Sequence, residues 1–185
     1  MLKIKYLVDN KLYENNSEFL EIIDNGLKVI LKPKTKIELV SAKLFFPKDE
    51  GLYYCNGFQS WTDSGLLKKD EKVDRMRFLG KVANHAYNLK TFGDYDFVEQ
   101  SRLYSHTYTY IQNGDNVILY GSIDEEYGYT TFHFKNEMEV HKDVEGVIID
   151  KEITLFNLVK YIGTLDEVLD KYFIDLNIPK KEVKK

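Results

Sequence analysis

The residues best suited to hold a sugar lie in one short segment, Cys55 to Asp63. It contains the only tryptophan of the chain, Trp61, together with Asn56, Gln59 and Asp63. A sugar ring packs on an indole, and its hydroxyls hydrogen-bond with amides and carboxylates. A tryptophan on a loop is often functional, but a buried tryptophan among polar residues that form local turns explains the same pattern. From the residue types alone both interpretations stay open, with these four residues as the candidate rim of a sugar site.

No catalytic residue is predicted. Retaining glycosidases need two carboxyl groups about 5–5.5 Å apart, and inverting enzymes need a wider gap. Carboxylates are plentiful, as in Asp94 with Asp96 and in the run from Asp124 to Glu126, but the sequence alone places no such pair. The run at Asp124 looks like a turn between strands, so solvated acids are its default interpretation. Cys55 has no base close to it in sequence and is expected to be a buried thiol.

Metal and cofactor sites are not predicted either. The chain has four histidines: His85, His106, His133 and His141. They form no HxH or HxxxH pair of the kind that binds a metal ion. His106 is expected to pack within a sheet. Neither a GxGxxG nor a GxxxxGK[ST] loop occurs, so nucleotide chemistry is not indicated.

Charge and length narrow the classes of partner. The chain has 185 residues and a formal net charge of −4, which suits one domain. Residues 49–179 carry thirteen basic and twenty-three acidic side chains, which argues against a nucleic-acid groove. No apolar run approaches the roughly 20 residues that cross a bilayer. With a single cysteine and no signal-like N-terminus, we expect a cytoplasmic protein without membrane contact.

The elements that must position these residues follow a period of two. Apolar residues alternate from Ile4 to Val8 and from Ile37 to Phe46, and Asp24-Asn25-Gly26 separates two runs that read as a hairpin. Leu103 to Ile111 reads as one strand with His106 and three tyrosines on one face, and Asn113-Gly114-Asp115-Asn116 reads as the turn of a second hairpin. Further strands are expected over 117–123, 129–134, 137–141 and 147–159. The sequence therefore predicts an all-β, antiparallel β-sandwich.

One helix is predicted at the C-terminus. Thr164-Leu165-Asp166-Glu167 reads as a capping box, and apolar residues follow at helical spacing to about Leu176, before Pro179. The expected organisation is a sandwich domain over residues 1–163, then a terminal helix and tail over residues 164–185.

Five phrases, in order, resemble the N-terminal domain of bacterial α-galactosidases of glycoside hydrolase family 36. They span residues 56–146 and are NGFQSWT at 56–62, FGDYDF at 92–97, SHTYTY at 105–110, GSIDE at 121–125 followed by GYT at 128–130, and KDVEG at 142–146. Where relatives often carry a basic residue soon after the tryptophan, this chain has Ser64-Gly65-Leu66.

The resemblance implies a β-supersandwich that packs on a following (β/α)₈ barrel, which carries both catalytic aspartates in that family. It implies a non-catalytic domain that shapes the active-site rim for terminal α-galactosides and contributes to a homo-oligomer interface. Since a barrel needs about 250 residues, the 185-residue chain is expected to be inactive alone. The alternative is a stand-alone, lectin-like module that holds a galactoside on Trp61.

Overall fold

Two antiparallel sheets and one helix form the part of the protein that can be described. The computed structural model describes residues 1–47, 49–56, 64–68, 104–134 and 136–177. Within those ranges the predicted all-β sandwich with one C-terminal helix is confirmed.

The first sheet has the strand order β2-β1-β5-β12-β11-β8, and β13 also pairs with β5. Its strands are β1 (Leu2–Val8), β2 (Lys11–Glu14), β5 (Ile37–Phe46), β8 (Tyr104–His106), β11 (Thr130–Phe134), β12 (Met138–Lys142) and β13 (Ile148–Ile149). The second sheet has the order β3-β4-β14-β10-β9-β6-β7. Its strands are β3 (Leu20–Asp24), β4 (Lys28–Pro33), β6 (Leu52–Cys55), β7 (Gly65–Lys68), β9 (Tyr108–Asn113), β10 (Asn116–Ser122) and β14 (Ile153–Gly163).

The main core lies between the two sheets. Alternation along each strand turns every second side chain inward, as in β1, where Ile4, Tyr6 and Val8 are buried. Many of the Tyr and Phe side chains of the chain pack in this core. Fully buried aromatic side chains in this core include Tyr6, Tyr53, Phe132 and Phe156.

The hairpin turns form where the sequence predicted them. Gly26 and Gly114 adopt φ angles of 83° and 60°, the left-handed region that glycine enters without a steric cost. The first joins β3 to β4, and the second joins β9 to β10. The short strands β2 and β7 were not predicted, because four residues carry too little alternation to be recognised.

The single helix, α1 (Leu165–Asp175), covers part of the outer face of the second sheet. The predicted capping box is present: Thr164 Oγ1 accepts from the Glu167 amide at 3.4 Å, and Glu167 Oε2 accepts from the Thr164 amide at 2.9 Å. Val168 and Tyr172 are buried against β10 and β14 in a second apolar cluster. In the described ranges, no helix has the length and apolar character needed to cross a membrane.

Two strand predictions are wrong. The strand expected over 147–159 divides into β13 of the first sheet and β14 of the second sheet. Leu103 to Ile111 does not form a single strand with one shared face, because the chain changes sheets at Thr107. β8 belongs to the first sheet and β9 to the second, and Thr107 between them has φ of 64°. A change of sheet needs a sharp bend, which an alternating pattern does not reveal because the alternation continues across it.

Candidate functional site

Asn56 is the one candidate rim residue that the structure describes; Gln59, Trp61 and Asp63 lie outside the described residues. Asn56 follows β6 directly, and both its main chain and its side chain are anchored. Its amide donates to Ser105 Oγ at 3.2 Å, and its Oδ1 accepts from the His106 amide at 2.6 Å. Asn56 therefore ties the end of β6 to the β8 strand.

A connected set of part-buried and buried hydrogen bonds extends from Asn56 across both sheets. Ser105 Oγ donates to the Tyr108 carbonyl at 2.6 Å, which spans the bend at Thr107. The Thr107 amide donates to the Thr130 carbonyl at 2.9 Å, and the Thr107 carbonyl accepts from the Ser122 amide at 2.7 Å. We call this set, with Lys142, the polar network; its members are Asn56, Ser105, Thr107, Ser122, Thr130 and Lys142.

Lys142 closes a ring of hydrogen bonds at one end of the polar network. Its Nζ donates to Thr130 Oγ1 at 3.2 Å and to the Asp124 carbonyl. Thr130 Oγ1 donates to Ser122 Oγ at 3.1 Å, and Ser122 Oγ donates to the same Asp124 carbonyl at 3.1 Å. Because Lys142 is only 4% exposed, these acceptors replace the water that its ammonium group would otherwise bind.

Glu125 supplies the countercharge for Lys142. Its Oε2 lies 3.7 Å from Lys142 Nζ and accepts from the Thr130 amide at 2.6 Å. Burial lowers the pKa of Lys142, and the carboxylate of Glu125 opposes that shift. Glu125 is thus not the purely solvated turn residue that the sequence suggested.

Gly128 allows the loop of Glu125 to approach the end of β12. A Cβ at residue 128 would lie 1.7 Å from the carbonyl oxygen of Asp143, and Gly128 has φ of 140°. Only a residue without a side chain fits both constraints. The close approach brings Asp124 and Glu125 within reach of Lys142.

Three tyrosines form a row beside helix α1 on the outer face of the second sheet. The rings of Tyr54 and Tyr110 are parallel within 6°, with centroids 4.6 Å apart, and the ring of Tyr108 is 5.8 Å from that of Tyr54. Tyr54 and Tyr110 cover each other's faces, so those faces cannot stack on a sugar. The tyrosine side chains of β6 and β9 thus pack on one another and do not form an open aromatic platform.

His106 and Cys55 both behave as buried, uncharged residues. Burial lowers the pKa of His106 to about 4 and raises the pKa of Cys55 to about 12. Near neutral pH the imidazole is therefore neutral and the thiol protonated. The structure confirms the predictions of a packed sheet histidine and a buried cysteine.

The arrangement positions backbone rather than activating a nucleophile. In the polar network, side chains form hydrogen bonds mainly with main-chain groups. The Lys142 ammonium group is held by the Asp124 carbonyl, Thr130 Oγ1 and the Glu125 carboxylate. Within the described ranges, no group of three or more His, Cys, Asp and Glu side chains is placed to hold a metal ion.

The sequence predicted no individual role for Ser122, Thr130 or Lys142, although all three lie in phrases of the resemblance, and it predicted no hydrogen-bonding role for Tyr172. Each is a polar residue on a strand or helix whose partner is distant in the chain, such as Tyr172 and Ser122, fifty residues apart. The signal that could have found Lys142 is its position on β12, where the alternation of Met138 and Val140 turns it inward.

No protein-family model matches the chain, and no curated protein matches it either.

Proposed function

We propose that this chain is a non-catalytic N-terminal domain of an α-galactosidase-like glycoside hydrolase, which supports the rim of an active site carried by a following barrel. The observation that carries the proposal is that four phrases of the resemblance, distant in sequence, meet in the polar network. The fifth, at residues 92–97, lies outside the described residues.

The contacts between these phrases are direct hydrogen bonds. NGFQSWT meets SHTYTY through Asn56 and Ser105. SHTYTY meets GSIDE through the Thr107 carbonyl and the Ser122 amide. GSIDE meets KDVEG through the Asp124 carbonyl and Lys142. A shared three-dimensional arrangement explains why these phrases occur together, whereas chance similarity does not require them to touch.

Helix α1 runs along the second sheet toward the end of β10 that lies near Thr107. The helix begins beside Gly163, at the Val117 end of β10, and Tyr172 near its C-terminal end reaches Ser122 at the other end of that strand. A domain that follows the helix would start on the side of the sandwich where Asn56 and Thr107 lie. We also propose a cytoplasmic location and a homo-oligomer, on the resemblance and the single buried cysteine.

The first test is the coding sequence downstream of Lys185. The proposal expects about 250 or more residues of alternating strand and helix, as a barrel requires. A stop codon at that point would overturn the accessory-domain proposal and favour the lectin-like alternative.

A second test separates the two candidates on the chain itself. Methyl α-galactoside is titrated to high millimolar concentration while amide NMR shifts of Asn56 and His106 are followed, with methyl α-glucoside as control. An accessory domain without its barrel should show no saturable, galactoside-specific shift, whereas a lectin should. Hydrolysis of a chromogenic α-galactoside by the isolated chain would contradict its non-catalytic assignment.

A further inference from the structure

Thr107 is a strained residue at the junction of the two sheets. It is the single residue between β8 and β9, and its φ of 64° lies in the left-handed region. For a β-branched residue this conformation is a genuine outlier and is strained. Such a conformation persists only where neighbouring groups hold it in place.

One of the groups that hold Thr107 comes from helix α1. The Thr107 carbonyl accepts from the Ser122 amide at 2.7 Å and from the Tyr172 hydroxyl at 3.3 Å. The same hydroxyl donates to the Ser122 carbonyl at 2.7 Å. Tyr172 therefore contacts both the bend at Thr107 and the end of β10 at Ser122, and it does so only when the helix is seated on the sheet.

On the other side, Thr107 adjoins the two residues that anchor Asn56. The preceding residue, His106, donates its amide to Asn56 Oδ1 at 2.6 Å. The carbonyl of the following residue, Tyr108, accepts from Ser105 Oγ at 2.6 Å, and Ser105 Oγ accepts from the Asn56 amide at 3.2 Å. The Tyr108 ring also lies 5.5 Å from the ring of Tyr172, so two short routes connect Tyr172 to Asn56.

We infer that Tyr172 is a positioning residue that couples the seating of helix α1 to the anchor of Asn56 through the strained bend at Thr107. Helix α1 is the last described element of the chain, and Asn56 comes just before the segment that contains Trp61. The inference rests on the proposed function in one respect only, the purpose of the coupling. That purpose is to let a domain that docks after helix α1 position the segment that contains Trp61.

Amide hydrogen exchange followed by NMR tests this coupling on the chain alone. Tyr172→Phe keeps the ring and removes the hydroxyl, so it should speed exchange at the His106 amide at least about tenfold more than at core amides such as Leu44 and Val140. Tyr161→Phe is the matched control, because the Tyr161 hydroxyl bonds Asp175 at the exposed side of the same helix. Tyr161→Phe should leave the rate of hydrogen exchange at the His106 amide unchanged relative to the rates at those core amides.

A reciprocal variant covers the case in which Tyr172→Phe unfolds the chain. Asn56→Ala should speed exchange at the Ser122 amide, which donates to the Thr107 carbonyl, because coupling acts equally in both directions. In a Thr107→Gly background, where the left-handed conformation carries no strain, both effects should shrink.

Equal changes at the His106 or Ser122 amides and at the core amides would overturn the coupling. No sugar and no second domain enter the experiment, so the coupling can fail while the proposed function stands, and the reverse also holds.

Discussion

Lys142 Nζ and Glu125 Oε2 lie 3.7 Å apart, the same separation that joins Lys5 to Glu14 at the surface. The two pairs differ in burial: the side chains of the first are 1% and 25% exposed, and those of the second 45% and 49%. Equal distance with unequal solvation makes them a matched comparison of what a buried lysine contributes.

Lys142→Met should lower the free energy of unfolding by about 1–3 kcal/mol, because the Asp124 carbonyl and Thr130 Oγ1 lose a buried donor. Lys5→Met should change it by less than about 1 kcal/mol, since exposed pairs contribute little. Urea unfolding measures both. In Glu125→Gln the effect of Lys142→Met should be smaller, and equal effects in the two backgrounds would show that the ion pair contributes nothing.

Gly121→Ala should disturb the seating of helix α1. A Cβ at residue 121 would lie 2.3 Å from Tyr172 Cε2, so the ring must move out of the second apolar cluster. Overpacking of this kind costs about 1–3 kcal/mol, measurable by urea unfolding. Gly65→Ala is the control, because a Cβ there meets none of the described residues within 4 Å. Equal stability of the two variants would argue against tight packing of the helix.

Stability should fall as the pH decreases from 7 to 5, partly because of His106. Burial lowers the pKa of His106 in the folded chain to about 4, whereas an unfolded histidine titrates near 6.5. Above pH 6.5 both states are neutral, so His106 adds no pH dependence there. Below it, only the unfolded state gains a proton, which costs up to about 1.4 kcal/mol per pH unit.

His106→Gln isolates this contribution, since the other histidines remain in both proteins. The free energy of unfolding of the variant should vary less between pH 7 and pH 5 than that of the parent chain. If the two slopes are the same, His106 is not buried as a neutral imidazole.

Cys55 should resist thiol reagents in the folded chain. It is 2% exposed, and burial raises its pKa to about 12, so almost no reactive thiolate is present near neutral pH. Labelling with a disulfide reagent should be orders of magnitude slower than in concentrated urea, and it should follow the opening of the main core. A native rate close to the unfolded rate would contradict the placement of Cys55 between the sheets.

Local patterns predicted most of the fold. Alternation predicted β1 and β5, Gly26 marked the turn between β3 and β4, Gly114 marked the turn between β9 and β10, and Thr164 with Glu167 marked the start of the helix. Each of these signals depends on residues close together in the chain, where spacing determines geometry.

The candidate site was less predictable because it depends on long-range contacts. Asn56 was recognised by its neighbours in sequence, but its partners Ser105 and His106 lie about fifty residues away. Lys142 had no predicted role of its own, and only its place on β12 shows that it binds Thr130 Oγ1. The bend at Thr107 has no sequence signal, because its conformation is imposed by the two sheets that it joins.

The passage of the chain from one sheet to the other at a single residue has a consequence for how the domain unfolds. β8 and β9 are joined by Thr107 alone. If the two sheets separate, one of these two strands must therefore lose its pairing within its own sheet. Opening of the sandwich and loss of both sheets should therefore occur as one cooperative event, with strand signals and core signals disappearing at the same denaturant concentration.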